Sequence, residues 1–237
     1  MHNLNIYPLS EMALTIEFAK DISLTANDKV IAAFHLLKSS PFPGYREAVP
    51  AYSSLTIYYN PVEIRRRFPY EQRSVSDIVT DLLLQILSES ALETSGEPTI
   101  TEIPVCYEDE YAPEILMVAD YCGLTTVDLV ALHTNHLFHV FFTGFVPGFP
   151  YLGINPEPLE IPRKKTPLLS VAAGSVAIAG KQSGIYPFAT PGGWNIIGRT
   201  PMKMFDKSAM RPGKLKAGDQ VRFISIDKNQ YKSLLTL

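Results

Sequence analysis

Between Phe141 and Pro201 the chain carries nine of its fourteen glycines and nine of its nineteen prolines. That density excludes ordinary core helices from the stretch. Proline removes a backbone donor, and glycine costs about 1 kcal/mol in a helix interior. The segments left between the breakers are apolar and β-branched, as in Ser175-Val-Ala-Ile-Ala179 and Trp194-Asn-Ile-Ile197. Short strands joined by tight, specified turns are expected. Phe145, Phe149, Tyr151, Tyr186 and Trp194 lie beside these glycines and prolines. Rigid loops carrying aromatics are common in binding sites, and a barrel whose turns simply need such residues reads the same way.

Upstream, Leu4 to Pro8 and Ala13 to Phe18 read as short strands. Thr25-Ala-Asn-Asp28 resembles a capping box and opens a helix to about Lys38, with Val30, Phe34 and Leu37 at helical spacing. Tyr45 to Val49 and Ser54 to Tyr59 form a strand pair, Pro61 suits a first helical turn, and Ser76 to Glu93 is a second long helix. These elements predict a small N-terminal α+β sandwich over residues 1–94. The polar, breaker-rich Thr94-Ser-Gly-Glu-Pro98 is the expected domain boundary, with a second domain over 95–237. There Thr99 to Tyr107 alternates into a strand, Pro113 to Tyr121 and Thr126 to His133 are short helices, and Leu137 to Phe142 is a strand. Met202 to Phe205 and Gln220 to Ile226 are further expected strands. The helix pair around Cys122-Gly123 is no DNA reader, because its second helix has no Arg or Lys to meet phosphate.

The net charge of −3 comes without a basic face, so no nucleic-acid partner is expected. No apolar run approaches 18 residues, and the start MHNLNIYPLSEM lacks the charge and apolar core of a secretory signal. No membrane partner and a cytoplasmic location are therefore expected. Cys106 and Cys122 are too few for a disulfide scaffold or a zinc site and read as buried thiols.

The strings GFVPGFPYLG (144–153), AGSVAIAG (173–180), QSGIYP (182–187) and TPGGWNIIGRTP (190–201) resemble the family of 5-oxoprolinase B subunits. Relatives of that family include the histidine-kinase inhibitor KipI and the first subunit of proteins labelled allophanate hydrolase. It is also similar to part of the carboxyltransferase domain of urea carboxylase, its C and D subdomains. Fainter matches in PGYREAVPAYSSL (43–55), PVCY (104–107) and GDQVRF (218–223) extend the resemblance over nearly the whole chain. Leu168, Ala172 and the pair Glu108-Asp109 depart from the family pattern.

The resemblance implies an α+β chain whose C-terminal part is a cyclophilin-like β-barrel. It implies one subunit of an ATP-dependent 5-oxoprolinase, a hydrolase acting on a cyclic amide, with homologues of the enzyme's C and A subunits as partners. ATP and magnesium would serve the assembled complex from another subunit. The alternative it leaves open is a sensor histidine-kinase inhibitor, docking by exposed loops. Fold alone would also allow a prolyl isomerase.

Among candidate site residues, Arg163 and Arg199 can grip a carboxylate through paired hydrogen bonds. Gln182 can both donate to and accept from an amide, and Tyr186 adds a hydroxyl and a ring. Gly144, Phe145, Pro147, Gly148, Phe149, Tyr151 and Trp194 are the expected interface or pocket loops. His133, which alone of the trio His133, His136 and His139 matches the family pattern, is a further substrate-binding or catalytic candidate by the resemblance; the spacing of the three crosses a helix-to-strand junction, so no metal is expected. Gly174 to Lys181 lacks the spacing and the Ser or Thr of a phosphate loop. Met202-Lys203-Met204 mimics a biotin attachment tripeptide but falls within the barrel pattern. No nucleophile elbow is present.

Overall fold

A computed structural model of the protein describes residues 4–89 and 99–235. The chain falls into two compact units, Met1–Glu97 and Pro98–Leu237. The expected boundary at Thr94 to Pro98, and the end of the second long helix, lie outside the described residues.

The first unit is an antiparallel sheet in the order β1 (Asn5–Ser10), β2 (Ala13–Glu17), β4 (Ser54–Tyr59), β3 (Tyr45–Pro50). Its helices are α1 (Leu24–Ser39), α2 (Pro61–Arg67) and α3 (Val75–Glu89). Leu14, Ile16, Leu55 and Ile57 share a core with Val30, Ala33 and Leu37 of α1 and with Val79 and Leu83 of α3. Side chains two apart on a strand share a face, which commits one side of the sheet to this core.

Helix α1 begins earlier than the Thr25 capping box implies. Ser23 is the N-cap, its hydroxyl accepting from the Ala26 amide at 3.2 Å. Asn27, at the end of the first turn, is buried and donates to the carbonyls of Ala51 and Tyr52 at 3.0 Å each. Two satisfied bonds from a buried amide outweigh the capping preference of one hydroxyl over another. In α2, Asn60 caps and Pro61 takes the first turn, as the sequence implies.

The second unit is a closed barrel in the order β10 (Gln182–Ile185), β7 (Pro150–Gly153), β6 (Leu137–Thr143), β13 (Gln220–Ile226), β5 (Ile100–Cys106), β12 (Asn195–Arg199), β9 (Ser175–Ala179). The pair β13–β5 is parallel and the others are antiparallel. Val105, Phe138, Val140, Leu152, Val176, Ile178, Ile197 and Phe223 belong to one buried core that fills it. The expected α+β arrangement with a C-terminal barrel is therefore the observed one. Two helices pack on the barrel, α4 (Ile115–Tyr121) and α5 (Thr126–Asn135), the latter capped by Thr125 accepting from the Asp128 amide. Among the described residues no single helix is long and apolar enough to cross a membrane.

A ribbon of β8 (Leu168–Val171) and β11 (Thr190–Gly192) stands apart from the barrel sheet. It covers the outer face of β9, which is why all five β9 residues are buried and the strand reads as a continuous apolar run. One expected strand is absent. Met202 to Phe205 is a turn with a single bridge from Phe205 to Gly213. Lys203 bends back to Asp206 at 2.8 Å, and Asp206 also accepts from the Ser208 amide, so local side-chain bonds replace a ladder. The terminal helix α6 (Lys228–Leu235) gave little sequence signal, because Tyr231 is its one buried residue.

Candidate functional site

The loop joining β6 to β7 is fully specified by its turns. The Val146 amide donates to the Gly144 carbonyl at 2.8 Å, and Phe145 between them has φ of 67°. This is a γ-turn with a left-handed centre, a rare and strained form. The Phe149 amide then donates to the Val146 carbonyl at 3.1 Å. Proline and glycine in the two middle places, with Gly148 at φ of 85°, match a type II turn. A Cβ on Gly148 would also stand 2.7 Å from Cβ of Phe205. The Gly144 amide closes the loop on the Phe149 carbonyl at 3.1 Å.

This loop lies beside an aromatic cluster on the outer face of β9 and β10. Phe149 is its hub, meeting Phe145, Tyr151, Tyr186 and Trp194 edge-on at centroid distances of 5.7, 5.0, 5.2 and 5.4 Å. Small residues make the room. A Cβ on Gly184 would sit 2.6 Å from the Phe149 ring and 3.0 Å from that of Trp194. One on Gly192 would collide with the Tyr186 hydroxyl at 2.3 Å. Phe149, Tyr186 and Trp194 are buried, Tyr151 is half-buried and Phe145 is exposed.

At the border of the cluster runs the segment 162–164, tied to the barrel wall. The Lys164 amide donates to the Gly193 carbonyl at 2.8 Å, and the Asn195 side chain donates to the Pro162 carbonyl at 3.0 Å. Glu114, at the start of α4, accepts from the Ile196 amide at 2.6 Å through Oε2 and makes an ionic contact with Lys164 through Oε1. The Lys164 ammonium is buried and has no hydrogen bond among the described residues, so this contact is Coulombic. Arg163 is exposed. Burial raises the Tyr151 and Tyr186 phenols, and the Arg163 charge acts on both in the opposite direction. Gln182 shares this face, since Ser183 and Ile185 point into the lumen while Gly184 meets the cluster.

Two expected site residues lie elsewhere. Arg199 pairs with Ser175 and Gln182 with Ala179, at opposite ends of β9, which separates them by about 13 Å along the strand. Arg199 lies over the Tyr111 ring at 5.9 Å and its charge acts on the Tyr231 phenol of α6, while its buried Nε has no partner among the described residues. His133 is wholly inside the barrel. Nδ1 lies 2.7 Å from the Tyr107 hydroxyl, Nε2 lies 3.3 Å from Oγ of Ser183, and the ring stacks on Phe223 at 4.3 Å. Ser183 donates onward to Asn155 at 2.9 Å. Desolvation lowers the His133 pKa to about 3, with a smaller push from the His136 charge, while burial holds the Tyr107 phenol well above its usual value. His136 and His139 pack instead on Phe138 and Phe141. Among the described residues no three His, Cys, Asp or Glu groups gather as a metal set.

Ser183, Asn155, Tyr107, Glu114 and Lys164 were not singled out from sequence. Ser183 and Tyr107 do stand in the family-like strings QSGIYP and PVCY, but only barrel closure brings them to His133. Gly174 to Lys181 is β9 with its turn, and a Cβ on Gly174 would meet the Thr200 carbonyl at 2.2 Å. This segment does not fit a nucleotide, since its backbone is spent on barrel pairing on both sides. Met204 is buried in the barrel core beside the exposed Lys203.

The sequence matches the family described as the carboxyltransferase domain, subdomain C and D, over residues 4–215. A Bacillus subtilis protein named as the B subunit of 5-oxoprolinase is 38% identical over 226 residues, covering 95% of this chain and 94% of that protein. An Escherichia coli protein of the same name is 35% identical over 226 residues, covering 94% and 97%. The solved structure of TTHA0988 superposes with a TM-score of 0.77 at 34% identity, covering 91% of this chain. This chain spans only 40% of that longer chain.

Proposed function

The chain belongs to the family of the carboxyltransferase domain, subdomains C and D, and we propose that within it the protein is the B subunit of an ATP-dependent 5-oxoprolinase. The observation that carries this reading is the 38% identity to a 5-oxoprolinase B subunit over 95% of this chain and 94% of that one. The reaction opens the lactam of 5-oxoproline to glutamate at the expense of ATP. Homologues of the C and A subunits complete the complex, which works in the cytoplasm. ATP and magnesium bind on another subunit, consistent with the lack of fit at Gly174 to Lys181.

Within this chain the outer-face site takes the substrate. Arg163 is the carboxylate contact, supported by its exposure and its electrostatic reach to the two buried-side phenols. Gln182 offers donor and acceptor to the lactam amide. Tyr151 and Tyr186, fixed by Phe149 and Trp194, wall the site against water. No nucleophile is assigned here, so the ring-opening chemistry is completed across the subunit interface.

The test is glutamate release from 5-oxoproline with ATP and magnesium, measured for the isolated chain and for the chain co-assembled with homologues of the A and C subunits. Release by the assembly alone is the expected result. An assembled complex that binds all three subunits yet forms no glutamate overturns the oxoprolinase reading. Steady release by the isolated chain overturns the shared site.

A further inference from the structure

We infer that Phe145 is a preformed anchor by which this chain docks on its partner in the complex, an inference that rests on the multi-subunit reading above. The backbone carries the first part of the argument. Phe145 is the one non-glycine residue with positive φ among the described residues, and it sits at the centre of a strained γ-turn. A left-handed conformation costs an L-residue free energy that glycine would not spend, so the benefit of phenylalanine here lies in its ring.

The ring does little for the fold. It is 60% exposed and meets the ring of buried Phe149 edge-on. That contact, with the closed 144–149 hydrogen-bond frame, fixes the direction in which the ring projects. A large apolar ring held rigid before binding loses little entropy on docking, which is how an anchor residue gains affinity. Other apolar side chains of this unit are exposed as well. Phe188 is 37% exposed and meets Phe205, which abuts Gly148 of the loop. Leu169, on the ribbon over the cluster, is 91% exposed.

The occupant is a second polypeptide rather than a small molecule. TTHA0988, 34% identical and of the same fold, joins the counterpart of this chain to further polypeptide that makes up most of its length. In that protein the same fold therefore works beside a larger polypeptide, and a face that receives polypeptide fits this pattern. A lasting interface buries about 1,000 Å² or more, around a desolvated anchor. In the oxoprolinase reading the occupant is the homologue of the C subunit.

The experiment uses the full chain and a purified homologue of the 5-oxoprolinase C subunit, with affinity measured by titration calorimetry. The key variant is Phe145→Gly, which removes the ring and relieves the backbone at once. Its melting temperature should equal or exceed that of the parent, while binding weakens about 30-fold or more. Phe145→Leu should recover part of the affinity. Unchanged affinity in a folded Phe145→Gly chain overturns the anchor and leaves the complex standing. A parent chain that does not bind this homologue at micromolar concentration overturns the complex itself, and the anchor with it. A Phe145→Gly chain that melts well below the parent shows the ring to be structural and also overturns the proposal.

Discussion

The phenol of Tyr107 donates to Nδ1 of His133 across 2.7 Å, deep inside the barrel. The direction of that bond follows from the far end of the network. Asn155 spends its amide on the Leu159 carbonyl at 3.0 Å, so its oxygen must accept from Ser183. With its proton committed, Ser183 accepts from Nε2–H of His133, which leaves Nδ1 as the acceptor for Tyr107. One neutral tautomer thus ties together the end of β5, helix α5, strand β10 and the segment after β7.

Protonation of His133 would break this order, and the pH dependence has a definite sign. Its folded pKa of about 3 lies below the unfolded value near 6.5, so the unfolded chain binds the extra proton between those limits. The stabilisation is complete above about pH 6.5 and is lost as pH falls toward about 3, with a slope of up to about 1.4 kcal/mol per pH unit. Urea melts from pH 7.5 to 4.5 should show this slope, and His133→Gln should flatten it while lowering stability at pH 7. A parent chain whose stability is level across that range refutes the assignment.

Phe149 is expected to be a folding residue. Its truncation to alanine removes the hub of four edge-on ring contacts and leaves a cavity, at a cost of about 3–5 kcal/mol. Gly184→Ala should also destabilise, by about 1–3 kcal/mol, because its Cβ has no room beside Phe149 and Trp194. Calorimetric melting of the isolated chain decides both, and a Phe149→Ala chain as stable as its parent would mean the cluster is not a core.

The two arginines should separate by assay. Arg163→Ala in the assembled enzyme should lower kcat/KM roughly 10- to 150-fold, the worth of a charge-assisted hydrogen bond, with melting unchanged. Arg163→Lys should restore only part, because the planar fork is lost. Arg199→Ala should instead reduce stability by about 0.5–1 kcal/mol through the lost contact with Tyr111. The reverse pattern would move the carboxylate contact to Arg199.

Lys203 should remain unbiotinylated. Its neighbour Met204 is a core residue of the barrel, and its ammonium pairs with Asp206, whose carboxyl is held well below the usual range chiefly by that bond and by Ser208. Intact-mass spectrometry after co-expression with a biotin ligase checks this, and a biotin-sized gain lost in Lys203→Ala would contradict it.

Local chemistry alone determined much of this protein. Pro147-Gly148 favours a tight turn by its own backbone preferences, and the breaker density from Phe141 to Pro201 favours short strands there. The alternation of Leu14 and Ile16, the spacing of Val30, Phe34 and Leu37, and Pro61 after Asn60 place the N-terminal elements for the same reason: each signal acts within a few residues. Tertiary structure decided the rest. Phe145 and Phe149 are alike in sequence context, yet one is exposed and the other is a hub, because the closure of the loop onto Gly184 selects between them. Tyr107, His133 and Ser183 lie 26 and 50 residues apart in the chain and meet only when the barrel closes. Arg199 and Gln182 were both candidate site residues, but the register of β9 with its two neighbours holds them at opposite ends. Register and closure are sums over many distant backbone pairs, and no single stretch of sequence contains them.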